Sequence, residues 1–197
     1  AIFRAYDIRG IVGKDLTDDV CYWIGRAIGS EVLAQNFNSL NLAWDGRHSS
    51  PNFAAALERG VLESGCNVVN LGAAPTGLLY FATYELASPC GVVITGSHNP
   101  AEFNGIKIVI NQQPLAQAEL DGLLRRINER NLNRGQGQRD TRNLNSAYID
   151  RLSEDIKIQR PLKVVLDAGN GIAGPLAIKL MEALGLQATF LFCDVNG

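Results

Sequence analysis

Short apolar runs alternate with segments of helical periodicity along most of this chain, and that alternation restricts the possible folds more than any other feature. Leu40 to Ala43, Asn67 to Leu71, Gly91 to Thr95 and Gly105 to Ile110 read as strands. Asp18 to Gln35 repeats Val20, Trp23, Ile24, Ala27, Ile28 and Leu33 near a 3.6-residue period, and Thr17-Asp18 can cap its start. Pro51 to Ser64 reads as a second helix, with Pro51 suited to the first turn and Gly65 to the stop. Pro75-Thr76 opens a third helix that runs to Leu86, and Leu115 to Arg130 is an amphipathic fourth. Strands interleaved with helices in this way predict a layered α/β/α domain with a mostly parallel, mixed sheet.

Beyond it, Asn131 to Asn143 has no apolar pattern and is rich in Gly, Gln, Asn and Arg, which predicts a linker. A helix from Ser146 to Ile158 follows. Then comes a new start: strand Leu162–Asp167, turn Ala168–Gly171, helix Ala173–Leu184 and strand Gln187–Phe192. Residues 1–132 are therefore expected to form one domain, 133–145 a linker, and 146–197 the beginning of a second α/β domain. Two strands and a helix cannot cover a sheet on both faces. Either the second unit packs on something else, or it is incomplete and the chain is a fragment of a longer protein whose C-terminal domains are missing here.

Charge narrows the ligands. With 18 Lys+Arg against 20 Asp+Glu the net charge is -2, so no broad basic field exists for nucleic acid or an anionic membrane. No apolar run reaches the length of a membrane span. An anionic ligand must be held by a local group of donors. Cys21, Cys66, Cys90 and Cys193 form no CxxC pair and have no metal-ligand spacing with His48 or His98. Four buried, reduced thiols in a cytoplasmic protein are the expectation.

The candidate chemistry lies at strand ends. Val92-Val93-Ile94-Thr95-Gly96-Ser97-His98-Asn99-Pro100 is a buried strand that runs into a Gly, a Ser and a series of hydrogen-bonding groups. In open α/β sheets, sites lie beyond the carboxyl ends of strands. Gly96 permits close backbone approach, and Pro100 keeps Asn99 out of helical geometry. Ser97 is expected to project into a cleft. No GxSxG elbow or Asp–His relay accompanies it, which argues against a serine hydrolase. Phosphoryl transfer asks instead for positioning and positive charge, although turn chemistry alone accounts for the same residue types. Lys107 emerges from the apolar strand Ile106 to Val109, and Arg47 follows a buried strand just before a helix N-terminus, a place suited to an anion. Arg4, Tyr6 and Arg9 precede the first helix.

Taken together and in order, these segments resemble the α-D-phosphohexomutases of the phosphomannomutase/phosphoglucomutase type. Phe3-Arg4-Ala5-Tyr6-Asp7-Ile8-Arg9-Gly10 is similar to that family's N-terminal signature, and Thr95-Gly96-Ser97-His98-Asn99-Pro100 to its phosphoserine loop. Asn104-Gly105-Ile106-Lys107, Asp45-Gly46-Arg47 and Asp167-Ala168-Gly169-Asn170-Gly171 resemble further family segments. Trp44 stands where the family has an arginine. The resemblance implies a phosphoryl group carried by Ser97, which would also ligate Mg²⁺ through that phosphate. Lys107 and Arg9 would stabilise the transferring group, and Tyr6 would help shape the site. His98 and Asn99 would support the loop, and Arg47 would balance the phosphoserine charge. The implied partners are a hexose phosphate (mannose or glucose 1-/6-phosphate) and the hexose 1,6-bisphosphate intermediate. The family's acidic Mg²⁺ loop is absent from this sequence, so this chain by itself is expected to lack mutase activity. Two other readings stay open. One is a phosphate- or sugar-phosphate-binding module without catalysis. The other is a nucleotide-binding protein using Gly169-Asn170-Gly171-Ile172-Ala173-Gly174, with Asp194 as its acidic partner.

Overall fold

The computed structural model describes residues 2–196. Its elements run β1 (Ile8–Ile11), α1 (Asp18–Ala34), β2 (Ser39–Trp44), α2 (Ser50–Glu63), β3 (Asn67–Ala73), α3 (Thr76–Glu85), β4 (Gly91–Ile94) and β5 (Phe103–Ile110). After these come β6 (Gln113–Pro114), α4 (Gln117–Asn128), β7 (Arg139–Thr141), α5 (Asn145–Asp155), β8 (Lys163–Asp167), α6 (Gly174–Ala183) and β9 (Gln187–Leu191). One sheet has the order β1-β5-β4-β2-β3-β7, with β6 hairpinned onto β5. The β4-β2-β3-β7 run is parallel, and β5 is antiparallel to β4 and β1. The expected mixed α/β/α sandwich is what forms.

Its layering follows from the two-residue period of strands. On β2, Leu40 and Leu42 join Val92, Ile94, Ile106 and Ile108 under α1, α2 and α4. Their neighbours Ala43 and Val93 face the other way, against Leu78 and Leu79 of α3. Because both faces are covered, β2 and β4 are apolar almost throughout. Each fully buried Leu or Ile stabilises by about 1.5–3 kcal/mol relative to exposure. Helices α1 and α2 approach so closely that a Cβ on Gly25 would strike the Leu57 carbonyl, and one on Gly60 the Tyr22 carbonyl.

Three strands lie outside the sequence reading. β1 forms by pairing Ile8 with Ile106 and Ile11 with Phe103, so the N-terminal segment is part of the sheet. β6 is a two-residue hairpin arm. β7 lies inside the stretch expected to be a linker. Residues 133–145 are instead laid against the domain. Asn133 N donates to Ser30 Oγ (2.9 Å) and its carbonyl accepts from Arg26 Nη2 (2.7 Å). Gly135 and Gly137 donate to the carbonyls of Glu63 and Leu62 at the end of α2. β7 then pairs parallel to β3. Its residues Arg139, Asp140 and Thr141 are all exposed, so backbone hydrogen bonds and one ion pair, Arg139 Nε to Glu58 Oε1 (2.8 Å), make it a strand, and no side-chain pattern announces it.

The C-terminal unit has only β8 and β9, parallel, with α6 between them. It meets the first through α3. Tyr148 of α5 tilts against Phe81, ring centroids 5.4 Å apart, and Leu144, Tyr148 and Leu176 pack beside Leu78 and Leu79. Much apolar surface stays open, including Val165 (67% exposed) and Phe192 (62%). Cys21, Cys66 and Cys90 are buried, but Cys193 is only partly so because it lies just past this thinly covered sheet; all four are free thiols. Among the described residues no helix is long and apolar enough to cross a membrane.

Candidate functional site

Strand register assembles the site. β2 and β4 are parallel neighbours with Trp44 opposite Ile94, so the chain leaves both at the same end of the sheet, side by side. The Asp45 amide donates to the Ile94 carbonyl (2.9 Å) and the Thr95 amide to that of Gly105 (2.9 Å). The two loops are then joined by side chains. Asp45 Oδ2 accepts from the Gly96 amide (3.0 Å), while Oδ1 accepts from the Arg47 amide (3.0 Å) and Ser50 Oγ (2.5 Å). Buried Asn104 donates from Nδ2 to Ser49 Oγ (2.8 Å) and Ser50 Oγ (2.9 Å), fixing the start of α2 against β5.

Ser97 has φ +52, a left-handed conformation that costs a non-glycine residue about 1–3 kcal/mol. The loop holds it there. Its amide donates to Thr95 Oγ1 (3.0 Å), and the Asn99 amide and Nδ2 both donate to the Gly96 carbonyl (3.0 and 2.6 Å). Ser97 is exposed, and its Oγ lies 3.3 Å from Nδ1 of exposed His98. It lines a cleft of about 470 Å³, shared with Asp45, Arg47, Thr76, Asn99 and the turn Gly169–Ala173 of the C-terminal unit. The cleft is thus walled by both units. Gly46 leaves room at its edge, since a Cβ there would meet Val195.

Three helices start at this cleft: α2 just after Arg47, α3 at Thr76 and α6 just after Ala173. None has a side-chain cap bond, and none has an acidic residue in its first turn. Of the helices that contribute nothing to the lining, α5 likewise has no side-chain cap bond and no first-turn acid, whereas α1 and α4 differ. α1 is capped by Thr17 and carries Asp18 and Asp19, and α4 has Glu119 reaching back to the Ala116 amide. The Ser50 and Gly174 amides that open α2 and α6 already donate to the Arg47 and Gly171 carbonyls, and Pro51 and Pro175 follow without an N–H, so what these starts offer an anion is chiefly their positive dipole ends.

Arg9 and Lys107 flank the loop without lining the cleft. Arg9 sits opposite Gly105 on β5, which puts it on the same sheet face as Lys107 two residues on. Arg9 Nη1 donates to Asn99 Oδ1 (3.0 Å), Nη2 to Asp7 Oδ2 (2.6 Å), and Lys107 Nζ stands 3.6 Å from the same Asp7 oxygen. Arg9 Nε is buried without a partner among the described residues. Asn99 therefore links this cationic group to the Ser97 loop. Arg47 lines the cleft beside Ser97. Its guanidinium is taken up by four main-chain carbonyls of the loop rather than by the Ser97 hydroxyl. Tyr6 is 78% exposed and lies outside the cleft lining. Trp44 packs partly buried against the core cluster.

Asp7 and Asp45 hold the site's two arginines and were missed in the sequence. The available signal was spacing: each stands two residues before the arginine it pairs with, as does Asp140 before Arg142.

The residues present do not fit a magnesium ion by themselves. Among the described residues no three His, Cys, Asp or Glu side chains gather at one point, and Asp7 and Asp45 are already paired. A hard divalent cation takes several oxygen ligands. The glycine turn is also poorly suited to a nucleotide pyrophosphate. The amides of Gly169, Asn170, Gly171 and Gly174 donate to Asp167 Oδ1 and to the carbonyls of Phe192, Ala168 and Gly171. The Asp194 carbonyl accepts from Asn170 Nδ2 (2.8 Å), and its side chain is exposed.

Known proteins agree with this geometry. The chain is 45% identical over 197 residues to a phosphomannomutase/phosphoglucomutase of Pseudomonas putida, matching all of this chain and 42% of that relative. It is 41% identical to a phosphoglucomutase of Neisseria gonorrhoeae over all of this chain and 43% of that one. The crystal structure of a phosphoglucomutase/phosphomannomutase family protein from Burkholderia thailandensis superposes with TM-score 0.95 at 42% identity, over 99% of this chain and 44% of that one. The chain thus spans less than half the length of these relatives. Residues 1–134 match the family described as "Phosphoglucomutase/phosphomannomutase, alpha/beta/alpha domain I", and the chain belongs to that phosphoglucomutase/phosphomannomutase family.

Proposed function

We propose that this chain is the phosphoryl-carrying part of a hexose-phosphate mutase, with Ser97 as the carrier. The observation that carries the reading is a serine held left-handed at a cleft where three helices begin with no side-chain cap bond and no acidic residue in the first turn. A phosphoryl group on Ser97 Oγ would pass to a free hydroxyl of a hexose monophosphate. The P–O bond to Ser97 breaks, a P–O bond to the sugar forms, and the sugar's hydroxyl proton ends on Ser97 Oγ. The resulting 1,6-bisphosphate returns its other phosphoryl group by the same step reversed. Arg9 and Lys107 supply fixed positive charge beside the loop. Asp7 holds both cations in place, and Asn99 connects them to the serine loop. A magnesium ion at the Ser97 phosphate, as the resemblance implies, would need carboxylate ligands from outside this chain.

The test is intact-protein mass spectrometry with a coupled mutase assay on the complete gene product. One phosphoryl group is expected on the wild type and none on Ser97→Ala, with turnover between hexose 1- and 6-phosphates lost in the variant. Stoichiometric sugar-phosphate binding without phosphorylation or turnover would identify a binding module instead. The isolated 197-residue chain is expected to show no sustained turnover; full activity from it would overturn the assignment of metal ligands to other domains.

A further inference from the structure

Arg47 is placed oddly for a residue meant to meet an anion. Nη1 donates to the carbonyls of Pro100 (2.8 Å) and Phe103 (3.0 Å), and Nη2 to those of Ser97 (3.0 Å) and Asn99 (2.6 Å). Four carbonyls from one short loop thus converge on a single planar group. Its Nε stands 3.5 Å from Asp45 Oδ2, and the Arg47 side chain is 15% exposed. Asp45 Oδ2 also accepts the Gly96 amide, so one carboxylate anchors both the fork and the start of the loop it grips. Gly96 completes the arrangement. A Cβ there would occupy the space of the guanidinium, although the Gly96 backbone is not in the left-handed region. Glycine is needed at that position for room, not for its dihedral freedom. A lysine could offer charge but not two coplanar pairs of donors.

Resting on the reading of Ser97 as phosphoryl carrier, we propose that Arg47 is a positioning residue: its guanidinium sets the backbone of 97–103 and thereby the aim of Ser97 Oγ, without touching substrate. Gly96 is its steric complement, and Asp45 its anchor.

The proposal is tested by steady-state kinetics and hydrogen exchange over residues 95–103, on the complete gene product. Arg47→Ala is expected to lower kcat about a hundredfold, as displacement of a reacting atom by roughly an ångström does. KM should stay within about threefold, since no substrate contact is lost. Arg47→Lys should recover less than about a tenth of the loss, because the fork is absent. Gly96→Ala should reproduce the defect with Arg47 still present, and should cost nothing further in Arg47→Ala, where the space is vacant. In Arg47→Ala and Gly96→Ala loop amides should exchange faster while those of β2 and β4 do not. Added guanidinium ion should restore part of the kcat of Arg47→Ala, and ammonium should not. Additive effects of Gly96→Ala and Arg47→Ala, a fully active Arg47→Lys, a loss confined to KM, or unchanged loop exchange would each overturn the proposal. If Ser97→Ala retains turnover, or the wild type has none, the carrier reading fails separately, and the exchange pattern of the four variants still decides the role of Arg47.

Discussion

The two units of this chain use the same strand–helix–strand grammar with opposite results. In the first, β2 and β4 are flanked by strands on both edges and by helices on both faces, and Leu40, Leu42, Val92 and Ile94 are fully buried. In the second, β8 and β9 have only each other, and Val165 on β8 and Phe190 and Leu191 on β9 remain exposed. The sequences of β2 and β8 are comparably apolar. What separates them is the number of neighbours, which local pattern does not encode. The cleft sits where the complete unit meets the incomplete one: the first supplies a rigid serine loop, the second a turn around Gly169–Ala173.

The largest expected difference is in local opening. Amides of β2 and β4 should exchange only through global unfolding, and those of β8 and β9 through cheap local opening. For a domain stability of about 5 kcal/mol or more, that predicts a gap on the order of a thousandfold in exchange rate. Exchange of β8 amides as slow as β2 would break the contrast and mean that α5 and α6 protect the small sheet far better than their burial indicates.

Mutation should sharpen it next. Leu42→Ala removes a fully buried side chain from a core closed on all sides and is expected to cost about 2–5 kcal/mol in urea unfolding. Val165→Ala, at a site 67% exposed, should change stability by less than about 0.5 kcal/mol. Comparable costs would show that the apolar face of β8 is covered in solution.

The same contrast governs what the sequence could reveal. Central strands were legible because burial on both faces writes a continuous apolar run, as in Gly91 to Ile94. β1 and β7 were not. Arg9 and Gly10 interrupt the one, and Arg139-Asp140-Thr141 has no apolar residue at all; each becomes a strand through a partner distant in sequence. Within the site, Ser97 and Arg47 were visible as polar residues that end buried strands. The task of Arg47 was not, because four carbonyl partners lie some fifty residues away and leave no mark on side-chain pattern. Family resemblance implied a role for its positive charge, and the backbone geometry adds carbonyl contacts that the sequence does not show.

A further contrast lies in the thiols, and it separates the units by pH. Burial pushes the Cys21 thiol from 9.0 up to about 12, helped by the charge of Asp18. Burial does the same to Cys66, with Cys90 adding repulsion. In the unfolded chain these thiols lose their protons near pH 9, whereas in the folded unit they keep them. The folded state therefore binds more protons between about pH 9 and 12, and stability falls as pH rises through that window. Each thiol contributes a slope of at most about 1.4 kcal/mol per pH unit. Cys21→Ala should flatten the alkaline fall in urea-measured stability relative to wild type, whatever else titrates there, because the difference between the two curves isolates the thiol. Partly buried Cys193 should meanwhile react with a thiol reagent at neutral pH in the native protein, and Cys21, Cys66 and Cys90 only after unfolding. Parallel alkaline curves for wild type and Cys21→Ala, or prompt native labelling of Cys21, would mean that the α1–α2 side of the first unit admits water, and the distinction between a closed core and an open one would fail where it looks strongest.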